Sequence, residues 1–217
     1  DERELGILVI DVGAGTSDFS VFKNNRLIHN SLIAIAGNHI TNDISVGFRI
    51  PYADSEEIKR GHGYAYSPLA SSNNFFNISP MGTNEKVSVS ELELCEIIEA
   101  RIEEIFEIIN SELIREGIKE DILAGIVLTG GGISYFPGII EIASQIFELP
   151  ARIGSPNRIG IKEPIYSTAF GLINYSAKRK FNYYVEYNNM DVKKKKAKKD
   201  SSDGITSFFK KIWEEYF

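Results

Sequence analysis

One cysteine, Cys95, stands in 217 residues. It excludes a disulfide framework and a four-cysteine metal site, and it fits a reducing cytoplasm. No secretory leader pattern is present, and no apolar run reaches the roughly 18 to 20 residues that cross a bilayer. No Gly-Lys-Ser/Thr occurs, which removes the P-loop, and no internal repeat is found. Positive charge is scarce over most of the chain. Residues 1–177 carry thirteen Lys and Arg against twenty-four Asp and Glu, whereas residues 178–217 carry eleven against six. An acidic body is a poor electrostatic partner for nucleic acid, so none is expected. A basic tail suits an anionic surface, or is a solvated tail with no partner.

What is present is apolar residue in quantity, 43% of the chain, enough for one domain or two small ones. Residues 5–12, 18–23 and 26–35 are rich in β-branched side chains and separated by glycine and Asn-Asn turns, which predicts a three-stranded meander. Ile40, Ile44 and Phe48 predict a short amphipathic helix, and "DSEEIKRG" a second, capped by Asp54 or Ser55. Residues 61–89 read as an irregular insertion with short strands. A long helix is expected from Ser90 to Glu116, opened by a Ser90/Glu93 capping box and closed near Gly117. A buried strand, a triple glycine, a helix from about Pro137, another strand and a helix in "IYSTAFGLINYSA" follow, the alternation of an α/β domain. After Ala177 the periodicity stops and residues 178–203 read as a basic flexible linker.

Two glycine loops carry the chemistry. In Asp11-Val-Gly13-Ala-Gly15-Thr16-Ser17-Asp18, glycines let backbone N–H groups approach an anion, the Thr16 and Ser17 hydroxyls donate, and Asp11 at a strand end suits a hydrated Mg²⁺. A plain glycine hairpin fits the same residues. Thr129-Gly130-Gly131-Gly132 follows a buried strand and precedes a helix, where bare backbone lies against a flat ring or a phosphate; an ordinary strand-to-helix loop fits it as well. Two such loops in this order are a stronger sign than either alone.

"VIDVGAGTSDFSVF" resembles the second phosphate motif of the actin, sugar-kinase and heat-shock-chaperone ATPase superfamily, and "GIVLTGGGISYFPG" its adenosine motif. "EPIYSTAFGLINY" resembles its second connecting helix. Within the superfamily the chain is most similar to the bacterial cell-division family FtsA, through "AGNHITNDI", "SEEIKRGHG", "ARIG" and a terminal amphipathic helix. The resemblance implies an α/β, actin-like (ribonuclease-H-like) fold with a small inserted subdomain, in its carboxy-terminal half. Residues 1–50 and 95–177 would form the nucleotide-facing large subdomain and 51–94 the insertion.

The same resemblance implies ATP and Mg²⁺ as cofactors. Asp11 would hold Mg²⁺ through water, Gly13, Gly15 and Thr16 would face the β- and γ-phosphates, and Gly130, Gly131 and Gly132 would lie against the adenosine. Glu56 and Lys59 would contact ribose and base; from spacing alone they are equally an exposed i,i+3 pair. Ala14 stands where the motif has glycine, so a positive φ there would cost about 1 kcal/mol or more. The first phosphate hairpin and first connecting helix are not in the sequence. ATP is therefore expected as a structural ligand, with weak or absent hydrolysis. A phosphotransferase or chaperone-type ATPase is the alternative.

Ile205, Phe208, Phe209, Ile212, Trp213, Tyr216 and Phe217 make one apolar stripe over 204–217, with Lys210 and Lys211 on the other face behind the lysines of 193–199. Such a stripe is either core or an in-plane membrane helix. The resemblance implies the latter: a peripheral tether at the cytoplasmic face of the inner membrane at the division site. It implies three partners: an anionic membrane, other copies in actin-like filaments, and the carboxy-terminal tail of the tubulin-like FtsZ. For FtsZ it points to the insertion and to Glu99 and Arg101 in "EIIEARIEE", where Ala100 replaces an expected proline.

Overall fold

The computed structural model describes residues 1–179, of which residues 1–170 form one compact unit and 171–179 fall in a second. The linker over most of 178–203 and the helix expected at 204–217 lie outside the described residues.

β1 (Ile7–Val12) is the centre of the larger sheet. Leu8, Ile10 and Val12 on one face are fully buried, while on the other Ile7 is buried and Val9 and Asp11 are half-buried. It pairs antiparallel with β2 (Ser17–Lys23) and parallel with β6 (Ile126–Thr129). β3 (Arg26–Ile33) extends the meander and β7 (Ala151–Ile153) the parallel side, giving the order β3-β2-β1-β6-β7. The β2–β3 turn is made by Asn24 and Asn25, both at positive φ (50° and 61°), the backbone a tight hairpin needs. A short α1 (Glu2–Leu5) precedes β1.

Three helices cover one face. α2 (Gly37–Phe48) presents Ile40 and Ile44, and α5 (Ile139–Phe147) presents Ile142, Ala143 and Phe147. Between them runs α4 (Glu91–Arg115), whose Leu94, Ile98, Ile102, Ile105, Phe106, Ile109 and Leu113 are all fully buried. These join Leu8, Ile10, Phe19 and Val21 of the sheet in a single core. α4 starts at Ser90, whose hydroxyl accepts from the Glu93 N–H while the Glu93 carboxylate accepts from the Ser90 N–H, and it closes at Gly117 at φ 68°. α3 (Tyr52–His62) leads into an irregular stretch holding a separate two-stranded sheet, β4 (Phe75–Ile78) against β5 (Val87–Ser90). Residues 167–179 are helical.

Two boundaries differ from the sequence reading. α3 begins at Tyr52 with Pro51 outside it as the N-cap (ψ 148°), whose carbonyl accepts the first helical bond from Ser55 N–H at 3.0 Å; Ser55, expected as a cap, is buried in the first turn with its hydroxyl also donating to Pro51 O at 3.0 Å. α5 begins at Ile139 and not Pro137, because Gly138 holds a left-handed φ of 88° against Tyr66.

The capping box generates a stability test. Replacing Ser90 by Ala is expected to lower unfolding free energy by about 1 kcal/mol in urea denaturation. The two Ser90 donors hold the Glu93 carboxyl below its ordinary range. Its contribution is therefore present above the ordinary carboxylate pKa and is lost as pH falls through the depressed one.

Candidate functional site

Parallel pairing of β1 with β6 sets Asp11 beside Thr129 at the carboxyl ends of adjacent strands, and each strand then runs into its glycine loop. The crevice beyond such strand ends is where open α/β sheets bind ligands. The two loops are in backbone contact: Gly132 N–H donates to Val12 O at 2.8 Å. A Cβ on Gly132 would stand 2.2 Å from Gly13 O, and one on Gly130, itself at φ 90°, 2.4 Å from an Asp11 carboxylate oxygen. The start of α2 closes the junction, with Gly37 and Asn38 N–H donating to Gly13 O (3.1 Å) and Ala14 O (2.7 Å). Gly37 was not picked out from sequence, though its place between a strand and a helix was a signal. A Cβ there would lie 3.1 Å from Gly132 Cα.

The first amides of α2 thus anchor the Asp11–Asp18 loop. The loop's exposed tip, Ala14 and Gly15, has N–H groups with no acceptor among the described residues. Ala14 is not among the residues at positive φ, so the strain expected there is absent, and alanine fits this backbone. Ser17 is also corrected. It is fully buried and donates to Ile35 O at 2.6 Å, because its place in β2 turns it to the core; Thr16 alone of the pair reaches the crevice.

Asp11 Oδ2 accepts from Thr168 Oγ1 at 2.5 Å, and Asp18 lies directly opposite Asp11 on β2 with Thr16 Oγ1 at 3.3 Å. Two carboxylates facing each other across a strand pair repel unless a cation or donors intervene. Thr129 donates toward Ser167 Oγ at 2.7 Å, and Ile165 sits over Gly131. Thr168 and Ile165 carried no mark in sequence as crevice residues, since only folding brings 164–168 over the strand ends; Asp18 lies inside the first glycine motif but had no role assigned.

On the far wall, Lys59 is 6% exposed. Its ammonium meets Thr41 Oγ1 at 2.6 Å, Gly37 O at 3.2 Å and Glu56 Oε2 at 2.5 Å. The spacing-based alternative of an exposed pair therefore fails for Lys59: a helix seated on the start of α2 has no solvent at that position. Burial opposes ionisation of Glu56, but hydrogen bonds from Lys59 and Thr41, with the charges of Lys59 and Arg60, outweigh it and hold the carboxyl below its ordinary range.

These walls enclose a two-part cleft. One compartment of about 760 Å³ is lined by Asp11, Gly13, Ala14, Thr16, Asp18, Gly37 and Thr168. The other, about 660 Å³, is lined by Arg60, His62, Tyr64, Glu91, Tyr135 and Phe136. Glu56, Lys59, Gly131, Gly132 and Ile165 border both. Each has the size of a small-molecule site. Among the described residues no three His, Cys, Asp or Glu groups cluster as a metal cage.

Glu99 and Arg101 are not brought together. Glu99 accepts from Ser67 in the irregular stretch, while Arg101 makes a two-pronged pair with Asp43 of α2 at 2.6 and 2.9 Å. Two positions apart on a helix, they face different neighbours.

A family description for Cell division protein FtsA matches residues 8–171. The FtsA of Bacillus subtilis (strain 168) is 39% identical over 178 residues, covering 82% of this chain and 40% of that protein. The FtsA of Escherichia coli (strain K12) is 36% identical over 194 residues, covering 84% and 46%. The chain thus spans about half the length of the relatives it matches, or somewhat less. Among solved structures, MreB 5 of Spiroplasma citri bound to AMPPNP superposes with a TM-score of 0.69 at 22% identity, over 86% of this chain and 57% of that one. A chain of the PilM–PilN type IV pilus biogenesis complex does so with a TM-score of 0.56 at 16% identity, over 79% and 46%. The fold is that of the actin-like ATPases.

The loop junction is open to test by two alanine substitutions. Gly132→Ala must push the loops apart and is expected to lower stability by about 1–3 kcal/mol. Gly15→Ala, with nothing within 4 Å of its Cβ and no positive φ, is expected to change it by less than about 0.5 kcal/mol in the same chemical melt.

Proposed function

The chain belongs to the FtsA family of cell division proteins, and on that premise we propose that it binds a purine nucleotide across its two glycine loops as a structural ligand. In this reading it serves an actin-like tether of the division ring. The observation that carries the nucleotide reading is the junction of Gly13, Gly37 and Gly132, which opens a two-part cleft of nucleotide size at the strand ends. MreB 5 of Spiroplasma citri, of the same fold, is bound to AMPPNP in one structure and to ADP in another.

In this reading the free amides of Ala14 and Gly15 and the Thr16 hydroxyl meet the terminal phosphates. Gly130, Gly131 and Gly132 bring backbone against the nucleoside, whose base enters the compartment of Tyr64, Tyr135 and Phe136. The paired carboxylates of Asp11 and Asp18 are hard oxygen donors of the kind that hold hydrated Mg²⁺. Among the described residues no third ligand-type side chain joins the two in a metal cluster, which fits an ion that completes its shell with water and phosphate. Mg²⁺ there would neutralise phosphate charge and relieve the repulsion between the two carboxylates.

The remaining partners rest on family membership and sequence pattern. The stretch 51–94, bordered by Glu99, with Arg101 beyond it on α4, is proposed to take the carboxy-terminal tail of FtsZ. Copies of the chain associate as actin-like filaments. The 204–217 stripe, behind its lysines, lies in an anionic membrane surface at the cytoplasmic face.

In calorimetric titration with ADP, EDTA is expected to weaken binding by roughly tenfold in the native chain and to have little effect in Asp11→Asn. Deleting 204–217 is expected to abolish co-sedimentation with phosphatidylglycerol-containing vesicles; unchanged pelleting would overturn the membrane assignment.

A further inference from the structure

A trans peptide points its C=O and its N–H in opposite directions. The peptide that offers Gly13 O carries the Ala14 N–H, and the one that offers Ala14 O carries the Gly15 N–H. Because Gly13 O and Ala14 O are held by the Gly37 and Asn38 amides at 3.1 and 2.7 Å, the Ala14 and Gly15 amides are turned away from α2 at the exposed tip of the loop. The first amides of α2 therefore set the direction of the loop's free donors.

Those first amides are held in turn by a histidine. α2 opens at Ala36, which brings no side-chain acceptor to its cap. The reciprocal bonds come from His39, whose N–H donates to Ala36 O at 2.9 Å and whose Nδ1 accepts from Ala36 N–H at 3.1 Å. Glutamate or glutamine ordinarily fills this third helical position, with an oxygen that accepts across the neutral range. An imidazole nitrogen accepts only while it carries no proton. Ala36 is fully buried and its N–H has no other acceptor among the described residues, so a proton on Nδ1 sets two donors against each other at a buried amide.

We propose that His39 is the positioning residue of the phosphate loop: with Nδ1 unprotonated it closes the first turn of α2 and so aims the Ala14 and Gly15 amides, and uptake of a proton releases them and weakens the grip on a phosphorylated ligand. The ligand rests on the nucleotide reading above; the relay of hydrogen bonds from His39 to the loop does not. The charged groups around this turn are Asp43, one turn along the same face of α2, and Arg101 of α4, which Asp43 shares with Glu104. Asp11 of β1 and Asp18 of β2 border the same compartment as Gly37 and Asn38, and Glu56 and Lys59 of α3 pair with each other at Thr41, on the other side of α2. The closed turn accepts only the neutral ring, so it is present at the alkaline end of the imidazole range and is lost as pH falls through that range.

The test is calorimetric titration of the full chain with ADP from about pH 8 to about pH 5.5, on the native protein, His39→Gln and His39→Leu. Amide-exchange protection of Ala36, Gly37 and Asn38 is measured without nucleotide on the same samples. Native affinity is expected to fall roughly tenfold more than that of His39→Gln across this range, since glutamine supplies an acceptor throughout. His39→Leu should bind weakly at both ends, with protection low at all these amides. Protonation of ADP and of the other histidines is common to the proteins compared and cancels between them. Parallel profiles for the native chain and His39→Gln, or native-like binding by His39→Leu, overturn the assignment. If the native chain binds no ADP, the nucleotide reading falls and protection decides the relay alone: loss at low pH in the native chain but not in His39→Gln supports it, and equal loss overturns it. Should His39→Gln not fold, ring nitrogen NMR shifts of the native His39 decide: at about pH 8, a proton on Nε2 and none on Nδ1 supports the arrangement, and a proton on Nδ1 overturns it.

Discussion

The contact between Gly13 and Gly132 is the constraint on which the site depends. Their approach is close enough that any Cβ on Gly132 would overlap a carbonyl oxygen. That approach exists because β1 and β6 run parallel and end together, Asp11 beside Thr129. Parallel neighbours turn their carboxyl ends, and so their loops, to the same edge. Gly37 makes a third approach at the same point, and its helix donates two amides to the first loop. Backbone meets backbone in three directions, and side chains are left only at the rim of the crevice.

The rim is organised by charge. Asp11 and Asp18 concentrate negative charge at one end, where Thr168 and Thr16 donate to it. Lys59 holds the opposite wall from within. It links α3 to the carbonyl of the glycine that abuts both loops, so the wall carrying Glu56 and the floor carrying the loops form one hydrogen-bonded body. A lone buried ammonium would be costly, and three oxygen partners offset part of that cost. The cation thereby joins the stretch after residue 50 to the large sheet.

Much of the fold was legible because local rules and tertiary packing agree. The apolar runs of β1, β2 and β6, the Asn24–Asn25 turn, the Ser90/Glu93 capping box and the 3.6-residue stripe of α4 each specify their element without reference to anything distant. The errors fell where two local rules compete. Pro51 and the Asp54/Ser55 pair both open a helix, and the proline, earlier in the chain, does so first. Thr16 and Ser17 carry the same hydroxyl chemistry, but alternation along a strand sends neighbours to opposite faces, and the strand begins at Ser17.

By itself the chain's order of residues determined the meander, the long capped helix, the two glycine loops and the family, because these depend on spacing, turn chemistry and residue type. Only the tertiary structure decided that the loops touch, that Thr168 reaches Asp11 from 157 positions away, and that Lys59 is sealed while Glu56 stays at the cleft. The physical reason is that a helical pair looks the same from either side in sequence. Which of its members loses water is settled by what packs against it, here the start of α2.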